Sequence, residues 1–349
     1  MMLTSTDARV AVDAVLDTFY AERIARAGAS GSQYELLWRR MRDASRGGKR
    51  LRPGLVLLAH TALGGNAPED ALTAAAATEL MHTALLFHDD VLDADLVRRG
   101  EPNLQGRFVA DALESGLGGE HSRTWGDTAG VLGGDLLISA VHAFAARINS
   151  PARVKIHEIL DESMFVTAAG ELADVGYGVG AMRPDAAEIG RMMAEKTAHY
   201  TFSAPLRIGA ALAGASAEAS AELSQIGTAL GFIYQLRDDV LGVFGDPDTL
   251  GKSIDGDLRE GKRTLLIAHA EHSAEWARVS HLFGRRGIDA GDVALLRQAI
   301  VDSGAAAEIE RLLTHEGDQV AARIDASSLP LPLRQELRAI ARRCAERES

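Results

Sequence analysis

LTAAAATELMHTALLFHDDVL, residues Leu72–Leu92, is the stretch that decides the fold class. It contains no glycine or proline, alanine and leucine dominate it, and its apolar residues recur at helical spacing. It therefore reads as one long helix. Apolar residues lie almost all the way round, which is the pattern of a helix buried on most sides. It ends on two adjacent acids.

Working outward, the same period runs through Gly130 to Ile148, Arg153 to Leu172, Glu188 to Ala213 and Ala221 to Val243. Asp185, after Pro184, is placed to cap one of these helices, and Gly214 to stop it. Aromatic residues make up 5% of the chain, and no β-branched alternation or hairpin signal is legible. The expected fold is all-α. Two connections are long: Asp95 to Gly130, part helix and part loop, and the polar GDPDTLGKSIDGDLREGKR of Gly245–Arg263. Each directly follows an Asp-Asp helix, and loops on a rigid scaffold are where binding groups sit. No repeat, low-complexity linker or composition break appears, so residues 1–349 are expected to form a single domain.

The chain has 349 residues with a net charge of -12, which argues against general nucleic-acid binding. A local basic cluster or a bound metal still admits anionic substrates. Cys344 is the one cysteine, so no intramolecular disulfide forms and a reducing, cytoplasmic setting is expected. The N-terminal stretch is acidic early and lacks a secretory apolar block, and no stretch reads as a membrane span.

Chemistry concentrates in two acidic clusters. In HDDVLD, Asp89 and Asp93 stand at i and i+4 on one helix face, with Asp90 beside them, after the apolar Ala84-Leu85-Leu86-Phe87. Oxygen ligands of this kind suit magnesium, which keeps waters and shares its shell with phosphates. In YQLRDDVLGVFGD, Asp238 and Asp239 follow the apolar Gly231-Phe232-Ile233-Tyr234. A solvated acidic helix end explains either cluster alone, and several kinds of metal enzyme would explain the pair.

The basic residues narrow the choice. GGKRLRP (Gly47–Pro53) places Lys49, Arg50 and Arg52 in a glycine-led turn entering a helix, where the backbone and helix terminus both favour anions. Arg98 and Arg99 follow the first acidic cluster, and arginine forks bind phosphate bidentately. Lys196, Lys252 and Lys262 add cations near expected helix ends. Acid-held metal on one side and cations on the other is what a diphosphate needs.

In order, GGKRLRP, HDDVLDADLVRRG, EKT (Glu195–Thr197), YQLRDD, LGK and EGKR resemble the trans-isoprenyl diphosphate synthases, or polyprenyl synthetases. The resemblance implies an all-α helical bundle around a central cavity (the isoprenoid synthase fold), usually a homodimer. It implies condensation of isopentenyl diphosphate with an allylic diphosphate, using about three Mg2+ ions. Asp89 and Asp93, with Asp90, would bind two of these, and Asp238, with Asp239, the third. Arg98, Lys196, Lys252 and Lys262 would hold the allylic diphosphate. Gly48, Lys49, Arg52, His82 and Arg99 would form the isopentenyl diphosphate site. Thr197 and Gln235 would turn dipolar oxygens toward the developing cation, completing a catalytic set with Lys196 and Lys252.

One departure stands out. The further acid that often ends the second motif is replaced by Gly242, and Asp246 lies about 12 Å from Asp238 by helix rise, too far to share one ion. Product length is read from the helix before the first motif. Ala84 and Leu85 leave room where short-chain enzymes of the family carry aromatics, and Met81 lies a turn deeper. Geranylgeranyl diphosphate is the expected product, with farnesyl or longer chains as alternatives. A class I terpene cyclase would carry an Asn/Ser/Glu metal motif, which is not found, and would not need Lys49, Arg52 and Arg99.

Overall fold

The computed structural model describes residues 5–245, 256–285 and 287–346. They are almost wholly helical, as expected. By their contacts they form two compact units, Met1–Ile159 with Pro205–Ala215, and Leu160–Ala204 with Ser216–Ser349.

The first unit holds α1 (Ser5–Ala27), α2 (Ser32–Ser45), α3 (Leu51–Ala62), α4 (Pro68–Leu92), α5 (Leu104–Glu114) and α6 (Gly119–Ala146). Its axis is α4, which buries Ala71, Ala74 to Ala77, Leu80, Met81, Ala84 and Phe87. Alanine makes the helix thin enough for neighbours to close around it. The closest is α6, whose glycines recur on the facing side. A Cβ at Gly130 would come within 2.4 Å of Val91, and one at Gly134 within 2.1 Å of His88. These two positions therefore let the backbones approach where side chains would hold them apart. Across α1 and α2, Phe19 meets Trp38 and Phe144 edge-on at 5.9 and 5.4 Å.

Sequence periodicity places the start of α6 at Gly130, whereas the helix begins eleven residues earlier, through a Gly-interrupted segment that read as part loop. At its full length it contains an 18-residue window of mean hydropathy 1.5, long and apolar enough to span a membrane by composition alone. Half of that window is buried, and α6 packs along α4 and α5, as a core helix does. The connection before it also holds the one strand pair among the described residues, β1 (Val97–Arg98) against β2 (Glu101–Pro102). Two-residue strands carry too little alternation to show in sequence.

The boundary at residue 159 falls within α7 (Arg153–Gly178). The second unit continues with α8 (Ala186–Met193) and the π-helical segment Ala194–Ser203, after which α9 (Ala204–Leu212) belongs to the first unit from Pro205 on. The sequence reads Glu188 to Ala213 as one helix; ten residues in its middle are instead wound more loosely. Asp185 caps α8 in a full capping box with Glu188, and Gly214, at φ +69, stops α9. Then come α10 (Ala217–Phe244) and the short α11 (Gly256–Glu260), a helical turn inside the polar connection. The chain ends with α12 (Leu265–Ala270), α13 (Ala274–Val279), α14 (Ala290–Asp302), α15 (Ala305–Ala326) and α16 (Leu331–Glu346).

The loose segment is gripped from two sides. A Cβ at Gly170 of α7 would lie 2.3 Å from the Lys196 nitrogen, and one at Gly231 of α10 would lie 2.3 Å from Ala198. Elsewhere in this unit, Ile309, Leu313, Val320 and Ile324 of α15 meet the buried Leu333, Leu337 and Ile340 of α16. Each such side chain contributes about 1.5–3 kcal/mol when fully buried.

Candidate active site

In the first unit the acids and arginines converge at the C-terminal end of α4. Asp93 is the residue after the helix, and its N–H donates to the Asp89 carbonyl at 2.9 Å, so the one-turn relation between them holds. Ala94 and Arg99 adopt left-handed backbone, and the β1–β2 hairpin folds the chain back on the helix end. Arg98 consequently donates to Asp90 from Nε at 2.9 Å and from Nη2 at 2.5 Å, and to Asp89 at 3.2 Å. Asp90 is 3% exposed, and burial lifts its carboxyl to about 6 although Arg98 pulls the other way. Asp89 is less enclosed, with 24% of its side chain exposed.

Beside this lies the glycine-led turn. Gly47 and Gly48 both have φ +82, and the space over Gly48 is taken by the Arg99 guanidinium, 3.3 Å from where a Cβ would stand. His82, two turns before Asp89 on α4, is held well below its usual pKa, first by desolvation and then by Arg52, Arg98 and Arg99. A neutral imidazole among three guanidinium groups marks a place poised for an anion. Gly48, Arg52, His82 and Arg99 thus lie near one another, with Lys49 in the same turn. Arg50 departs from that reading. It turns inward onto Asp13 and Glu79.

In the second unit, α7, the π segment and α10 assemble another polar cluster. Lys196 donates to Asp174 at 2.6 Å and lies 3.0 Å from Glu171. Thr197 follows it, half-buried. Gln235 donates to Asp239 at 2.8 Å, one turn along α10, which fixes the amide's orientation. Asp239 is 7% exposed, and its pKa is pushed well up by burial. Gln235 opposes this, while the negative charges of Asp257, Asp238 and Asp174 add to it. Asp238 is half-exposed. Lys262 lies 3.2 Å from Glu260 and 3.9 Å from Asp257. Lys252 and Asp246 lie outside the described residues.

Sequence reading missed Glu171, Asp174 and Asp257. The acids of Gly170-Glu171-Leu172-Ala173-Asp174 stand at i and i+3 in an otherwise apolar run, a legible signal. The expected helix, however, stopped at Leu172, whereas α7 continues to Gly178. Asp257 explains the departure at Gly242, because a Cβ there would fall 2.2 Å from the Asp257 carboxylate. Glycine at 242 makes room for an acid that arrives from α11.

Among the described residues no three carboxylates, imidazoles or thiolates are drawn together into a metal cage. The donor set nevertheless fits a hard cation that is only partly protein-bound. Asp89 and Asp93 offer carboxylate oxygens near guanidinium groups that can hold phosphate, and magnesium keeps waters and takes its remaining ligands from phosphate.

The family model described as Polyprenyl synthetase matches residues 35–300. The chain belongs to the polyprenyl synthetase family. It is an all-α prenyltransferase of isoprenoid biosynthesis, and its family acts on isoprenoid diphosphates with the general help of metal ions. It is 34% identical over 269 residues to the geranylfarnesyl diphosphate synthase of Aeropyrum pernix, covering 74% of this chain and 77% of that protein. It is also 34% identical over 226 residues, 64% of this chain, to the geranylgeranyl diphosphate synthase of Methanosarcina mazei. Among solved structures, a geranylgeranyl pyrophosphate synthase from Corynebacterium glutamicum, complexed with isoprenyl diphosphate and magnesium, superimposes with a TM-score of 0.90. That pair is 29% identical, and the match covers 97% of this chain and 98% of the other.

Proposed function

We propose that this polyprenyl synthetase condenses isopentenyl diphosphate with an allylic diphosphate and releases the twenty-carbon geranylgeranyl diphosphate. The observation that carries the reading is the pairing, within one compact unit, of two different anion places. One has acids for a metal (Asp89 and Asp93 with Arg98). The other gathers cations around a histidine (Lys49, Arg52, Arg99 and His82). A diphosphate that leaves needs metal, and a diphosphate that stays needs only binding.

Bound Mg2+ would supply Lewis-acid stabilisation of the departing pyrophosphate. Asp89 and Asp93 are assigned to hold it, Asp238 to hold a further ion, and three ions in all fit the resemblance. Arg98 is assigned to the allylic diphosphate as positive charge held in place by Asp89 and Asp90, and the family resemblance gives Lys196, Lys252 and Lys262 the same role. Ionisation leaves an allylic cation. Thr197 and the amide of Gln235 present dipoles to it, and the double bond of isopentenyl diphosphate attacks it. A proton is then lost to the released pyrophosphate. The cation has to be kept from water, which would quench it.

Product length is proposed from α4. Ala84 is fully buried and small, and Met81, 3% exposed, lies a turn deeper. Relatives named for different chain lengths share the same identity with this chain, so length has to be read from side chains. We also propose a homodimer. α7 exposes Val154, Phe165 and Leu172, the last two by 77% and 74%, spaced eleven and seven residues apart and so on one helix face. A cytoplasmic setting is consistent with the lone buried Cys344.

The test is release of pyrophosphate from purified protein. Release is expected only when an allylic diphosphate, isopentenyl diphosphate and Mg2+ are all present. Release from the allylic diphosphate alone would indicate cyclisation or hydrolysis and overturn the proposal.

A further inference from the structure

Arg50 lies within the diphosphate-binding turn, flanked by Lys49 and Arg52, yet its side chain is only 6% exposed. It reaches Asp13 of α1 from Nε at 2.8 Å and from Nη2 at 2.7 Å, and Glu79 of α4 from Nη1 at 2.6 Å. Glu79 is itself buried, one turn before His82 on the same helix. The Arg50 backbone is left-handed at φ +51, a conformation that L side chains avoid. Such a residue persists only where its surroundings over-determine it.

A pocket separates part of this turn from α1. A cavity of about 240 Å³ lies there, lined by Asp13, Tyr20, Arg46, Gly47 and Arg50 among others. Another polar tie, Arg46 to Asp17 at 3.4 Å, joins two exposed side chains and contributes little. The Asp13–Arg50–Glu79 network is a buried polar tie that joins this turn to both α1 and α4. A buried ion pair adds little net stability over an apolar replacement, but removing one partner strands the other. What this one supplies is a fixed conformation. It anchors the turn to α4 beside His82 while Gly48 sits against Arg99.

We infer that Arg50 is a positioning residue for the isopentenyl diphosphate site, and that Asp13 makes α1 part of that site. This rests on the reading of Lys49, Arg52, His82 and Arg99 under the proposed function. α1 precedes the residues matched by the family model, so the inference extends the functional chain toward the N-terminus.

The leading variant is Asp13→Asn, because Asp13 is partly exposed and its loss leaves the Arg50–Glu79 pair in place. Arg50→Met and the conservative Arg50→Lys accompany it, with circular dichroism confirming helical content. In two-substrate kinetics, Asp13→Asn and Arg50→Met should raise KM for isopentenyl diphosphate by about tenfold or more. KM for the allylic diphosphate and kcat should stay within about threefold. Arg50→Lys should recover part of the loss. Titration calorimetry with isopentenyl diphosphate alone should show the same weakening without turnover. Equal weakening toward both substrates, or wild-type affinity in Asp13→Asn, would overturn the inference. Wild-type protein that binds no isopentenyl diphosphate would instead overturn the functional reading beneath it.

Discussion

In both aspartate pairs the first acid is half-exposed and the second is buried on a polar partner, Asp90 on Arg98 and Asp239 on Gln235. Under the proposed function the outer acids hold the metal, and the inner ones sit beside them, each fixed by its polar partner. Asp89→Ala should therefore lower kcat by about a thousandfold or more with helical content unchanged, as loss of a group acting in the transition state does. Asp238→Asn should cost more activity than Asp239→Asn, because Asp238 is the more open acid whereas Asp239 is buried against Gln235. Steady-state rates of the two variants decide this, and the reverse order would contradict it. His82 gives a pH prediction. It stays neutral when folded, whereas an unfolded histidine takes up a proton below about 6.5. The unfolded state thus binds more protons at low pH, and stability falls as pH drops through that value. His60 adds to this in the same direction. Asp90 and Asp239, whose carboxyls burial raises, act in the opposite sense, so the histidine contribution is read as a difference. Between pH 8 and pH 5 the thermal midpoint of His82→Gln should fall less than that of the unsubstituted protein. Finally, Ala84→Phe should shorten the product, and an unchanged chain length would remove Ala84 from the pocket.

At the scale of elements, glycines decide where the site residues sit. Gly170 and Gly231 bring α7 and α10 against the π segment that carries Lys196 and Thr197. Gly231→Val would drive methyl groups into the Ala198 backbone, so it should cost about 1–3 kcal/mol or more, measured by denaturant unfolding. A loosely wound helical segment is a recurrent device at functional sites. It was not legible in sequence, because Glu188 to Ala213 has unbroken helical periodicity, and the winding is imposed by the neighbours at Gly170 and Gly231. The aspartates and the Gly47–Pro53 turn were legible because chemistry restricts their types and spacing. The partner of each was not. Arg50 looks like its neighbours Lys49 and Arg52 until Asp13 and Glu79, distant in sequence, claim it. Asp257 likewise becomes relevant only when folding brings it over Gly242.

For the whole molecule, the all-α class followed from Leu72–Leu92 and its companions, since alanine-rich helical periodicity leaves no alternating segment for a sheet. α6 was truncated in that reading because its glycines, which serve packing on α4, look like loop punctuation. The exposed stripe on α7 predicts a particle of twice the 37.1 kDa chain mass by light scattering, with Phe165→Glu shifting it toward the monomer. The central claim is transfer of a prenyl chain to isopentenyl diphosphate. Its most direct test is to incubate purified protein with labelled isopentenyl diphosphate, Mg2+ and each of dimethylallyl, geranyl and farnesyl diphosphate, then size the products. The account predicts label in a twenty-carbon diphosphate. No labelled chain longer than the primer, with any of the three, would contradict it.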